Sequence, residues 1–245
     1  MLAEPTARAA EARPPAAQPA MVGIVNHLRD RRLQPGDRLP SERDFAERLG
    51  VGRNAVREAL ATLVALRVVD SRPNSGIYLR HMGRDSSFEA LVMLTGLGEV
   101  PTPTEVAETT EVRAHLEVLA VGLACERRSE GDLQRLALIQ QRTERLLAGG
   151  GNIAPLDTEF HIAVADASHN SVLVRVLNAF YEFTAGRRHV WFGNPAQGAG
   201  SAAEHRQLID HIVARDKTGA QALVLQHMDR ASRYWSELLE PAAPR

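Results

Sequence analysis

The sequence predicts a mainly α-helical chain in two unequal parts. A short N-terminal segment of three helices is closed by a small β-hairpin, and a longer C-terminal bundle is built only of helices. Three observations lead there. Apolar residues recur at helical spacing through most of the chain, and the one pair of short β-prone runs brackets a turn-rich tip. Charge also changes sign along the chain: residues 21–80 carry eleven arginines against seven acids, whereas residues 81–245 carry sixteen basic side chains against twenty-one acidic ones. The first part suits a polyanion and the second does not.

At 245 residues, 44% apolar and 24% charged, the chain has the length and composition of two soluble globular domains. No stretch approaches the ~20 uninterrupted apolar residues of a membrane helix, so no membrane partner is expected. The first twenty residues are rich in Ala, Pro and Arg, lack the apolar core of a signal peptide, and read as a disordered tail. Cys125 is the one cysteine, which excludes an internal disulfide and points to a reducing cytoplasm; its Leu-Ala-Cys-Glu setting is that of a small buried helix residue.

Residues 21–80 are expected to form the first domain. Met21, Ile24, Val25 and Leu28 share one helix face, and Pro35-Gly36 stops that helix. Ser41 with Asp44 has the form of a capping box for a second short helix, which buries Phe45, Ala46 and Leu49 and ends at Gly50. A third helix from about Arg53 to Leu66 turns Val56, Leu60, Leu63 and Val64 inward. Two short helices joined by a glycine turn are a helix-turn-helix arrangement. The runs Val68–Ser71 and Ile77–Leu79, around Arg72-Pro73-Asn74-Ser75-Gly76, read as a hairpin wing. Arg53, Asn54 and Arg57 occupy the polar face near the start of the third helix, where side chains can reach base edges in a major groove. Arginine offers paired donors to guanine and asparagine can pair with adenine.

Residues 81–245 read as helix throughout and are expected to form the second domain. Asp85 is the expected cap of a helix carrying Phe88, Leu91, Val92 and Leu94, and the Pro101–Thr104 loop opens a long helix to about Arg128. Ser129 and Asp132 make another capping box, for a helix ending at Gly149-Gly-Gly151. Further helices are expected near 154–167, 171–192, 201–214 and 218–239, with 193–200 as a loop.

Asp157 and His161 stand four residues apart and so share a helix face. His205 and His227 lie on later predicted helices, and convergence of all four would make a metal-centred pocket. Imidazole nitrogen suits zinc, nickel, iron or copper, and the carboxylate adds manganese. Three neutral histidines and one aspartate leave a divalent ion with a charge of +1. If it is six-coordinate, two positions stay open, which a small carboxylate could fill. Arg113 is a candidate clamp on such an acid, although Glu117, one turn on, could hold it in an ion pair instead. His115, His169, His189 and His211 read as core histidines, His27 and His81 as surface residues, and Trp191, Trp235 and Phe180-Tyr181-Phe183 as packing aromatics.

The run from Leu33 to Arg43 (LQPGDRLPSER), then Gly50-Val-Gly-Arg53 and Val56-Arg-Glu-Ala-Leu60, resembles the GntR family of bacterial winged-helix transcription regulators. That resemblance implies that Arg43, Arg53 and Arg57 touch DNA, that Asn54 reads a base and that Asn74 enters the minor groove from the wing. The chain departs from the family at Gly52, where Ser or Thr is usual, and at Pro73-Asn74, where the wing tip is usually glycine-rich. The second part resembles the FCD effector domain of the FadR subfamily on Glu111-Val-Arg113 with Glu117, Asp157 through His161, Ser168-His-Asn170, Glu204-His205 and His227. This implies an all-α bundle holding a divalent metal through Asp157, His161, His205 and His227, zinc first and then nickel, iron or manganese, with a small carboxylate effector completing the coordination. A single helix-turn-helix buries too little DNA for strong specificity, so a homodimer on a short inverted repeat of double-stranded DNA is expected.

The expected function is therefore a repressor released from its operator by a small acid, with activation by the same parts as the alternative. A metal-dependent enzyme acting on an organic acid is a third reading, but no nucleophile elbow, P-loop, dinucleotide fingerprint or HExxH motif is present and the wing would go unexplained. A constitutive architectural DNA-binding protein would bind indifferently to any metabolite.

Overall fold

A computed structural model describes residues 17–239. They fall into two compact units divided between Leu97 and Gly98, with eleven helices and two strands among the described residues.

In the first unit α1 (Ala17–Asp30) buries Ala20, Met21, Ile24, Val25 and Leu28 along one stripe. Helix α2 (Glu42–Leu49) begins at the expected capping box: the Asp44 amide donates to Ser41 Oγ at 3.2 Å, and the Ser41 amide donates back to Asp44 Oδ2 at 3.2 Å. It ends on Gly50 in the left-handed conformation, φ 64°. Helix α3 (Arg53–Ala65) follows after Val51-Gly52. Strands β1 (Val69–Arg72) and β2 (Gly76–Leu79) pair antiparallel, Val69 opposite Leu79 and Arg72 opposite Gly76. Phe45, Val56, Leu60, Leu63, Val68 and Leu79 form the core of this unit.

The sequence misplaces four details here. The part of the expected tail that is described, residues 17–20, is the first turn of α1 with Ala20 fully buried; residues 1–16 lie outside the described residues. Val64 is 37% exposed, because it flanks the buried stripe instead of lying in it. Asp85 closes the short α4 (Met82–Asp85), and α5 (Phe88–Gly96) is capped by Ser87, whose hydroxyl accepts from the Ala90 amide. Ala90 and Leu94 of α5 pack into the first core, so this helix, assigned from sequence to the second domain, sits with the first unit.

The second unit is a bundle of α6 (Pro103–Arg127), α7 (Glu130–Ala148), α8 (Ala154–Ala167), α9 (Ser171–Trp191), α10 (Pro195–Ala214) and α11 (Lys217–Leu239). Side chains cap four of these starts: Thr102 with Glu105, Ser129 with Asp132, Asn170, and Asn194. Asn194, followed by Pro195 in the first turn, starts α10 six residues before the expected position, so the glycine-containing run 195–200 is helix and not loop. Helix α6 is central, packing on α8, α9, α10 and α11, while α7 covers α8 and α10. Val121, Leu136, Ile139, Phe160, Val164, Leu208, Ile212 and Val224 fill the space between them. Two charged residues of the central helix, Arg113 and Glu117, are buried with this core. Charged side chains are rarely buried without partners, which directs attention to what surrounds these two. No helix among the described residues is long and apolar enough to cross a membrane.

Candidate functional site

Helices α8, α10 and α11 bring Asp157, His161, His205 and His227 together, with one ligand atom from each lying within 4.8 Å of the others. Asp157, His161 and His205 are 3%, 2% and 1% exposed, and the His227 side chain 11%. The helical spacing explains the first pair: His161 Nε2 stands 3.9 Å from Asp157 Oδ1. His205 Nε2 comes within 3.3 Å of the same oxygen.

The other face of each group is held. His161 Nδ1 donates to Glu117 Oε2 at 3.3 Å, and Tyr181 donates its hydroxyl to Glu117 Oε1. His227 Nδ1 donates to Glu204 Oε2 at 2.5 Å. Asp157 Oδ2 accepts from Arg188, while Oδ1 accepts from Ser201 Oγ at 3.0 Å. Each of two imidazoles therefore has Nδ1 fixed by a carboxylate and Nε2 free to ligate, the outer support that metal-binding histidines usually carry. His205, stacked on Phe160 at 3.9 Å between centroids, has no hydrogen-bond partner at either ring nitrogen. A fully buried imidazole with unsatisfied nitrogens is costly as it stands, and a cation ligated at Nε2, the nitrogen that faces the cluster, would satisfy that one. Ligand atoms about 2.1 Å from one ion lie at most about 4.2 Å apart, so closing on a cation needs a contraction of several tenths of an ångström. The donor set fits a divalent metal.

The electrostatics agree. Burial pushes His205 well below its usual value, with the charges of His161, His227 and Arg188 adding to that and Asp157 opposing it. Burial also lowers His227 against its hydrogen bond to Glu204. Both rings thus favour the neutral form that ligates. Burial alone would raise the Asp157 carboxyl, but Arg188 and the three histidines outweigh it and hold the group well below the ordinary carboxylate range. Glu117 is likewise lowered, since His161, Tyr181 and Arg113 outweigh its burial. Burial and the Glu117 charge push Tyr181 well above its usual value, so it stays a hydroxyl donor.

A cavity with about 580 Å³ of atom-free space, part of it open to solvent, adjoins the cluster. Asp157, His161 and His227 contribute to its wall, as do Arg113, Arg187, Arg188 and Arg230. Arg113 reaches Thr184 Oγ1 at 3.5 Å and Met228 Sδ at 3.3 Å, and its Nε has no partner. It is not in an ion pair with Glu117, whose oxygens are engaged by His161 and Tyr181. Sequence reasoning missed Arg187, Arg188 and Arg230, and the second-layer roles of Glu117 and Tyr181. The available signal was Arg187-Arg188 inside an otherwise apolar, aromatic-rich helix. The four remaining histidines of this unit are not core residues: His115, His169 and His189 are exposed and His211 half-buried. His169 and His211 pair with Asp132 and Asp216 instead.

In the first unit Arg43, Arg53, Asn54, Arg57 and Asn74 are all exposed. Arg53 and Asn54 open α3 and Arg57 follows one turn later, so the three lie on one polar edge, with Arg57 donating to Glu42 Oε2 of α2 at 3.2 Å. Asn74 takes φ 57° at the wing tip, a conformation asparagine tolerates better than most residues. Arg72 stacks over Tyr78 at 4.2 Å and steadies the hairpin.

Two family models match the chain. Bacterial regulatory proteins of the gntR family match residues 21–79 and the FCD domain matches residues 108–230. The HTH-type transcriptional regulator LutR of Bacillus subtilis is 30% identical over 219 residues, covering 86% of this chain and 98% of that one. The galactonate operon transcriptional repressor of Escherichia coli is 25% identical over 208 residues, covering 83% of this chain and 90% of that protein. A solved structure described with the words "Lar controls the expression of the Listeria monocytogenes agr system" superposes with a TM-score of 0.67 at 16% identity. It covers 94% of this chain and 100% of that one, a likeness of fold.

Proposed function

The chain belongs to the gntR family of bacterial regulatory proteins and carries an FCD domain, and from that premise we propose how its parts divide the work of a ligand-responsive, DNA-binding transcription regulator. The first unit, through residues 21–80, binds an operator as one half of a homodimer on a short inverted repeat, and the second unit, from Gly98 on, binds the effector and dimerises. Arg53, Asn54 and Arg57 meet the major groove, Arg43 the phosphates and Asn74 the minor groove. The effector is a small carboxylate, and its binding releases the repressor from DNA in the cytoplasm.

The observation that carries this reading is the buried set Asp157, His161, His205 and His227, with carboxylates fixing the outer nitrogens of two rings and neither nitrogen of a third in a hydrogen bond. These four residues would hold a divalent cation, zinc first and then nickel, iron or manganese. Bound there, it would supply residual positive charge and open coordination positions to a carboxylate. Arg188 holds Asp157 Oδ2 and leaves Oδ1 facing the histidines. Glu117 orients His161, and Arg113 offers its guanidinium to the acid from the cavity wall. The work assigned to the site is binding, not turnover, because only a binding role uses the winged segment as well.

Coupling follows from differential affinity: the acid must bind more tightly to the conformer that fits DNA less well. Metal analysis of the purified chain, followed by operator gel shifts against a panel of small organic acids on duplexes selected from a random pool, tests the proposal. Near one divalent ion per chain and release by at least one acid are expected. Tighter binding with the acid would mark an activator, and indifference to every acid, or product formed at an enzymatic rate, would overturn the reading.

A further inference from the structure

We propose that the cavity beside the four-residue cluster takes an acid with two anionic groups, a small dicarboxylate, whose remote carboxylate is received by Arg113 and Arg187. This rests on the reading of that cavity as the effector site and narrows the class of effector.

Four guanidinium groups line the cavity, and they differ in their partners. Arg188 is matched by Asp157 and Arg230 by Glu204. The other two have no carboxylate. Arg113 is 7% exposed and contacts a hydroxyl and a thioether, both neutral. Arg187 has two buried terminal nitrogens, Nη1 and Nη2, without hydrogen-bond partners, and its guanidinium lies 4.5 Å over the Phe183 ring. Glu117 stands one helix turn from Arg113, and His161 and Tyr181 already occupy its oxygens.

Arg113 and Arg187 also feel each other's charge. Burial, and then the Arg113 charge, lower Arg187 to about 10, so Arg187 remains cationic at neutral pH. Two neighbouring cations with only Glu117 near one of them, itself engaged by His161 and Tyr181, are unfavourable until a further anion joins them. A monocarboxylate held at the metal cluster, with Arg113 on its carboxylate, leaves the buried Arg187 nitrogens without a partner. An acid with a second carboxylate reaches both centres, and a planar guanidinium is the side chain best shaped to receive it.

The test uses the full-length, metal-loaded chain in calorimetric titrations with length-matched acids: succinate, glutarate and adipate against butyrate, pentanoate and hexanoate. Metal content is measured after each titration. At least one dicarboxylate is expected to bind about tenfold or more tightly than its partner. In Arg187→Gln that ratio should fall to within about threefold of one. Equal affinities within every pair overturn the proposal without reference to any variant, as does a dicarboxylate preference that survives Arg187→Gln. In both cases monocarboxylate binding would leave the effector-site reading standing. Absence of binding by all six acids would remove both.

Discussion

The two units place their functional charges in opposite environments. In the first, Arg43, Arg53, Asn54, Arg57 and Asn74 stand in solvent, and their ion pairs, Arg57 with Glu42 at 3.2 Å and Arg43 with Asp44 and Glu47 at 4.0 Å, are themselves exposed. Such a pair contributes about 0–1 kcal/mol, so these side chains are nearly independent of the fold and of one another. In the second, Asp157, His161, His205 and Glu117 are at most 3% exposed and each depends on a neighbour. Exposed charge can be lost without unfolding the unit that carries it. Removing a buried charge costs more, because in the pairs Asp157–Arg188 and Glu117–His161 it strands the partner.

The contrast can be broken most forcefully at Asp157. Replacing it by Ala leaves Arg188 buried without its counter-ion and should lower unfolding stability by about 3–5 kcal/mol, read from denaturant unfolding, with loss of bound metal in the same protein. An Asp157→Ala chain of unchanged stability would mean that the buried network is not interdependent. Arg53→Ala should do the reverse. Unfolding should stay within about 0.5 kcal/mol of the parent, while operator affinity falls about tenfold or more in fluorescence anisotropy titrations. Survival of specific binding would move the recognition surface elsewhere. The smallest effect is expected at Gly52, which starts α3 at φ −68° with open space where a Cβ would stand. Gly52→Ser should add a few tenths of a kcal/mol through a restored helix cap and tighten operator binding by offering a hydroxyl to phosphate.

The same contrast explains how much the chain alone reveals. Helix starts with paired caps, Ser41 with Asp44 and Ser129 with Asp132, are readable because both partners lie within four residues. The candidate metal-binding cluster is readable for a similar reason: Asp157 and His161 share one helix turn, and the resemblance to the FCD domain points to His205 and His227. What escapes are contacts closed only by tertiary packing. Glu117 meets His161 across 44 residues and Tyr181 across 64, and nothing local distinguishes Tyr181 from its packing neighbours Phe180 and Phe183. Arg187 and Arg188 carry a charge pair in an aromatic helix, but which one meets Asp157 is decided by the fold. The start of α10 is missed because Gly198 and Gly200 suggest a loop, whereas Asn194 and Pro195 set a helix going before them.

The proposed function requires that the buried cluster govern the exposed residues. Operator affinity of the metal-loaded chain and of His205→Ala, each measured with and without a releasing acid, tests it directly. The parent should bind the operator less tightly when the acid is added, and His205→Ala should bind DNA as the acid-free parent does and stay indifferent to the acid. A His205→Ala chain that responds to the acid like the parent would contradict the account.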